Sequence, residues 1–208
     1  MRKKRDGKAT KITVLKTAEE VFAEKGFAGT SLKAISDRCG ISTGLILHHF
    51  SNKQTLYQEV LKQLSSRYFD VLSRSGQGIE GEDFLQVSEK VLRETFAFWR
   101  NDTTYQRISS WAYLENQDTH TEEEARLTAG LAGVITRMQG KGQADPTFQS
   151  YVLLSLIIGP IHFWMRYREN FMKQLNLEET PEELDNIFLE QFLKVIWKVY
   201  KPEKKHEL

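Results

Sequence analysis

The sequence predicts an all-α fold, and three observations predict it. Apolar residues recur at helical spacing through most of the 208 residues. No stretch alternates with the period of two that a half-buried strand requires. Capping pairs, a Ser or Thr followed three residues later by Glu or Gln, mark several expected helix starts. Hydrophobic residues at 40% and aromatic residues at 11% suffice for a packed core and exclude a wholly disordered chain. The single cysteine, Cys39, excludes an intrachain disulfide framework and fits a reducing compartment.

Each element follows from local chemistry. Val14, Leu15, Ala18, Val21 and Phe22 share one helix face, and that helix ends at Gly26, where glycine takes the left-handed cap. Thr30 or Ser31 caps a short helix over 32–39, which Gly40 stops; Ser42 caps a third over 43–50. Residues 51–54 read as a capping box, Ser51 at the cap and Gln54 at N3. The fourth helix carries Leu56, Tyr57, Val60, Leu61 and Leu64 and runs into the low seventies. A Gly/Ser-rich run at 73–81 breaks the pattern. Helices follow at about 83–100 and 103–117, and another opens at the capping box 121–124. Asp145 and Pro146, a cap with proline at N1, open a long helix over about 147–171, with Pro160 inside it expected to introduce a kink. Thr180, Pro181 and Glu183 open the last, about 181–200, whose apolar face includes Leu184, Phe188, Phe192 and Ile196. The expected domains are 1–55, a basic arm with three short helices, and 56–208, a helical remainder.

The net charge of +1 hides an asymmetry. Residues 1–60 hold 11 Lys/Arg and 6 Asp/Glu, against 18 and 22 in the rest, and six of the basic side chains lie in residues 1–11. A basic arm on a near-neutral protein points to a polyanion partner or, more blandly, to a solubilising tail. The arm has no apolar run of the signal-peptide kind. The longest apolar stretch, 151–165, is interrupted by Ser155, Gly159, Pro160 and His162 and falls short of the roughly 20 residues of a bilayer span. The expectation is a soluble cytoplasmic protein with no membrane partner.

The second and third short helices, joined by Gly40, Ile41 and Ser42, have the arrangement of a helix-turn-helix. Gly40 permits the turn, Ile41 plugs the gap between the helices, and Gly44 lets the third helix approach another surface closely. The stretches 22–27 (FAEKGF), 30–35 (TSLKAI), 40–46 (GISTGLI) and 49–53 (HFSNK), with Leu56, resemble the N-terminal domain of TetR-family transcriptional regulators. The resemblance covers residues 14–61; beyond them only length and helical architecture agree.

That resemblance implies roles. The helix 43–50 would enter the major groove, with Ser42 at its cap and Thr43, Gly44, Leu45 and His48 nearest base edges. Lys33 would reach a guanine edge or a phosphate, while Ser31, His49 and Lys53 would touch phosphates. The arm, residues 2–11, would add salt-sensitive affinity. One position departs from the family pattern: Leu47 stands where a tyrosine usually supplies a phosphate contact.

Other constellations reduce to simpler causes. The run 76–81 matches G-x-G-x-x-G but lacks the preceding strand of a dinucleotide site, so it reads as a loop. His48 and His49, adjacent on a helix, point about 100° apart and poorly share an ion. Asp118, His120 and Glu122 read as capping and solvation, and Cys39 as packing. No metal, cofactor or catalytic motif is expected. Residues 96–171 hold 12 of the 23 aromatics, which suits an ordinary core or a mostly apolar pocket. The resemblance favours an effector pocket, with Phe96, Trp99, Trp111, Phe163 and Trp164 as liners and Glu115, Asn116 and His162 as polar anchors. The last two long helices would form a homodimer, giving two recognition helices about one DNA turn apart, roughly 34–36 Å. The expected function is a repressor released from a palindromic double-stranded operator by a small apolar or amphipathic effector. The alternatives are a dimeric DNA-binding protein without effector and an all-α small-molecule carrier or enzyme.

Overall fold

The computed structural model describes residues 7–75, 84–117 and 122–200, and every regular element among them is an α-helix. They are α1 (Gly7–Lys25), α2 (Leu32–Cys39), α3 (Thr43–Phe50), α4 (Lys53–Ser75), α5 (Phe84–Asn101), α6 (Thr103–Leu114), α7 (Glu122–Gly140), α8 (Ser150–Leu175) and α9 (Pro181–Tyr200). Residues 2–6 of the basic arm, the Gly-rich run 76–81, Asp118 and His120 lie outside the described residues.

The chain divides into two compact units: Met1–Asp70 with Asp102–Glu124, and Val71–Asn101 with Ala125–Leu208. The expected boundary between residues 55 and 56 therefore falls inside α4. Helix α6, expected among the C-terminal helices, instead packs on α1 in the first unit.

In the first unit α1 buries Val14, Leu15, Ala18, Val21 and Phe22, the stripe its spacing predicts. It stops at Gly26, φ +71°, whose N–H donates to Phe22 O at 2.9 Å. Ser31 caps α2, its Oγ accepting from the Ala34 N–H at 3.1 Å. Gly40 closes α2 in the left-handed region, φ +64°. Ser42 caps α3 through the Leu45 N–H. Ile35, Ile41, Ile46 and Phe50 are buried, so one side of each short helix faces the core.

The start of α4 differs from expectation. Ser51 is not its cap; it ends α3, with φ +59° and its N–H on Leu47 O at 2.8 Å. Asn52 is the cap, its Oδ1 accepting from the Thr55 N–H at 2.8 Å and the Thr55 hydroxyl at 3.2 Å. Asparagine caps as well as serine does. The Asn52 N–H reaches Phe50 O at 2.5 Å, a three-residue turn that forces Ser51 into positive φ.

In the second unit α5, α8 and α9 pack on one another. Phe188 of α9 stacks on Trp164 of α8 (4.6 Å between centroids), on Phe96 of α5 (5.9 Å) and on Phe192 (5.6 Å). Beside this stack Asp185 is buried, its Oδ1 accepting from the Trp164 indole N–H at 2.7 Å and its Oδ2 from the Arg168 guanidinium. Helix α9 opens as expected: the Thr180 N–H and hydroxyl donate to Glu183 Oε2 at 2.7 and 2.8 Å. These bonds hold the Glu183 carboxyl below the usual range.

Asp145 and Pro146 do not open α8, which begins at Ser150. Asp145 Oδ1 instead accepts from the Thr147 N–H (2.8 Å) and hydroxyl (2.6 Å), an Asx turn that satisfies the loop locally. Gln139 Nε2 fixes the same loop by donating to Asp145 O and Phe148 O. Pro160 sits inside α8, which continues as helix to Leu175. The proline removes the helical donor to the carbonyl of Leu156, four residues earlier.

Removing one partner of a buried ion pair leaves the other charge uncompensated. Asp185→Ala should therefore cost about 3 kcal/mol of stability, read by denaturant unfolding at neutral pH.

Candidate nucleic-acid interface

Two eight-residue helices place the residues of interest. On α3, Gly44, Leu47 and His48 are exposed, while Thr43, Leu45 and His49 are half-buried. The hydroxyls of Ser31 and Ser42 are committed to caps, leaving early N–H groups of α2 and α3 as the donors a phosphate would meet. Lys33 is exposed and pairs with Asp37 one turn on at 3.0 Å, a solvated contact that yields readily to a stronger partner. The His48 and His49 rings meet edge-on, 5.5 Å apart. Among the described residues no group of three metal-ligating side chains converges.

Gly44 is the most telling position. It lies inside a helix, its φ is not positive, and a Cβ there would meet nothing within 4 Å. Nothing within the fold requires glycine, which costs a helix interior about 0.5–1 kcal/mol relative to alanine. The empty space points outward.

Lys53 is placed otherwise than the sequence predicts. Its ammonium is turned inward, donating to Phe27 O at 2.7 Å and Thr30 O at 2.9 Å, and it lies 4.1 Å from the Phe27 ring centroid. The carbonyls of the α1–α2 turn have no helical donor, and this cation meets that need. On α2, Arg38 forms a bidentate pair with Glu24 of α1, both bonds 2.8 Å, which holds the Glu24 carboxyl below its usual range.

The same turn draws on α6. Ala23 O accepts from Arg107 Nε at 2.7 Å and from the Trp111 indole at 3.2 Å. The Glu115 carboxylate accepts from the N–H groups of Phe27 (2.8 Å) and Ala28 (3.2 Å). Trp111 and Glu115, expected to face an effector, are thus committed to the first unit. Asn116, two residues past the end of α6, has φ +49° and is exposed. No local pattern marks Arg107, whose partners lie more than 80 residues away.

The remaining expected effector residues lie in the second unit. Trp99 is buried against His162, their ring centroids 3.7 Å apart. His162 Nε2 is buried with no hydrogen-bond partner, and burial, aided by Arg166, pushes its pKa down to about 4. Phe96 and Trp164 belong to the Phe188 stack, and the Trp164 N–H is taken by Asp185. Phe163 is exposed and stacks on Tyr167 at 4.6 Å. A groove of about 370 Å³ lies in the first unit, lined by Ile12, Lys16, Glu19, Glu20, Gln63, Arg67 and Thr104, none of them an expected effector contact.

Residues 14–60 match the family model of bacterial regulatory proteins of the tetR family. The chain is 26% identical over 177 residues to the HTH-type transcriptional regulator TtgR of Pseudomonas putida, covering 79% of this chain and 84% of that one. A solved TetR-family regulator from Marinobacter aquaeolei superposes with a TM-score of 0.71 at 20% identity, covering 96% and 98% of the two chains. AibR, solved in complex with isovaleryl coenzyme A and operator DNA, superposes with a TM-score of 0.69 at 14% identity, covering 92% and 98%. At these identities the two structures establish the fold.

Two outcomes follow from the geometry. Lys53→Met should lower stability by about 2 kcal/mol, since two bonds from a charged donor are lost, and a denaturant midpoint reads it. For His162, the unfolded imidazole protonates near 6.5 whereas the folded one stays neutral down to about 4. The unfolded state therefore binds more protons in that window, and stability falls as pH drops from 6.5 to 4, at up to about 1.4 kcal/mol per pH unit. His162→Phe should flatten that slope in denaturant titrations across the window.

Proposed function

We propose that the chain is a TetR-family transcriptional regulator that binds DNA, a homodimeric repressor released from a palindromic operator by a small apolar or amphipathic molecule. The observation that carries the DNA contact is the outward face of α3, where Gly44 opens space that nothing in the protein fills. In this reading α3 enters the major groove, with Thr43, Gly44, Leu45 and His48 at base edges and Lys33 beside them. His49 and the N-termini of α2 and α3, capped by Ser31 and Ser42, hold phosphates. Leu47, 40% exposed, offers a thymine methyl an apolar contact in place of a hydroxyl. Lys53 serves by shaping the turn beneath.

The dimer reading is supported by apolar side chains left in the open on the last two helices. Tyr151, Leu156 and Phe163 of α8 and Ile187 and Val195 of α9 are all exposed, and a second copy would cover them. The effector reading is supported by Trp99 and His162, a neutral imidazole with an unused nitrogen against an indole. A protein of the same fold, AibR, holds both a coenzyme A thioester and operator DNA. The matched relatives are regulators rather than enzymes. Among the described residues no helix is long and apolar enough to cross a membrane, and a cytoplasmic site of action accords with a DNA partner.

Selection from random duplex DNA at fixed salt tests the function. A two-fold symmetric motif with half-sites about one helical turn apart is expected; weak enrichment without symmetry would overturn the dimeric reader. Operator release by screened compounds then tests the effector, and affinity indifferent to all of them would leave an effector-independent regulator. Gly44→Ala gives a sharper outcome. It should raise stability by about 0.5–1 kcal/mol and weaken operator binding by about tenfold or more. Unchanged operator affinity would remove this face of α3 from the groove.

A further inference from the structure

We infer that Glu115 is a positioning residue for DNA reading: from the end of α6 its carboxylate holds the α1–α2 turn, and with it the place and direction of α2 and α3. This inference rests on the reading role of α3 proposed above.

The turn, residues 26–30, has few bonds of its own. The Thr30 hydroxyl reaches back to Gly26 O at 2.6 Å, and the Thr30 N–H to Phe27 O at 3.3 Å. Side chains remote in sequence supply the rest. The Phe27 peptide is gripped from both sides, its N–H by Glu115 and its C=O by Lys53. Arg107 and Trp111 of α6 and its C-cap Glu115 stand at i, i+4 and i+8, one stripe. Arg107 and Trp111 donate to the last turn of α1, and Glu115 accepts from the residues that follow it. Donors meet carbonyls and an acceptor meets amides, so the stripe is matched to the polarity of the helix end.

Gly26 records how close the fit is. A Cβ there would stand 2.3 Å from Glu115 Oε1 and 3.0 Å from Trp111 Cδ2. Its positive φ alone would admit asparagine, as Asn116 and Asn176 show in this chain, but a side chain there would push the Glu115 carboxylate from its place. Ser31, which caps α2, follows the turn directly, and α2 packs on α3. A shift of Phe27 and Ala28 therefore carries the recognition helix with it. A residue that only adds stability would weaken binding to all DNA alike. One that aims α3 acts on base contacts and leaves phosphate contacts largely intact.

The test uses the full chain with Glu115→Ala and Glu115→Gln, measuring affinity for the selected operator and for random duplex at one salt concentration, with amide hydrogen exchange. Glu115→Ala should raise exchange across residues 26–50 but not in α8 and α9, and weaken operator binding about tenfold while random-duplex affinity stays within about twofold. Glu115→Gln, which keeps one acceptor oxygen, should fall between. Unchanged exchange at 26–50, or an equal loss on operator and random duplex, would overturn the positioning role. Should the wild-type chain select no operator, the regulator reading falls, and a rise in exchange confined to 26–50 would still establish the clamp.

Discussion

The first unit depends on how one short turn satisfies its backbone. Where α1 ends at Gly26 the chain must reverse into α2, and the peptide groups of residues 23–30 cannot all find partners within the turn. Three α6 side chains and one from α4 close the gap, each a bond across 23 residues or more. Charged groups make three of the four attachments, and such bonds are roughly twice as strong as neutral ones. The arrangement explains why α6 groups with the helix-turn-helix rather than with the helices on either side of it in sequence.

The second unit solves a different problem, that of burying large rings with polar edges. Trp164 pairs its face with Phe188 and its N–H with Asp185, and Arg168 neutralises the buried carboxylate. A ring, an acid and a base thus fix one register of α8 on α9, while Tyr151, Leu156, Phe163, Ile187 and Val195 stay exposed. Among the described residues His162 departs from this pattern, a polar group buried beside a ring with nothing bonded to its Nε2.

Most of the fold was legible because helix ends are written locally. Gly26, Ser31, Gly40, Ser42 and the Thr180–Glu183 pair all act where the sequence places them. The misreadings share a cause. At Ser51 and Asn52, and at Asp145, two residues of equal capping ability or two uses of one carboxylate compete, and the backbone path decides between them. The helix-turn-helix pattern directed the sequence reading to α2 and α3, on which Lys33, Gly44 and His48 are exposed. Lys53, Trp111 and Glu115 were not, because their partners lie 23 to 88 residues away and no local pattern distinguishes an inward lysine or glutamate from a solvated one. Arg107 escaped notice for the same reason.

The bend at Ser51 has a mechanical consequence. The last backbone bond of α3 is made by Ser51 itself, and the cap of α4 is the next residue. The two helices therefore share a joint with no slack: one residue in a sparsely populated conformation, and no spacer to absorb displacement. Any tilt at the foot of α4 is delivered to the end of α3 undamped, as through a rigid elbow rather than a tether.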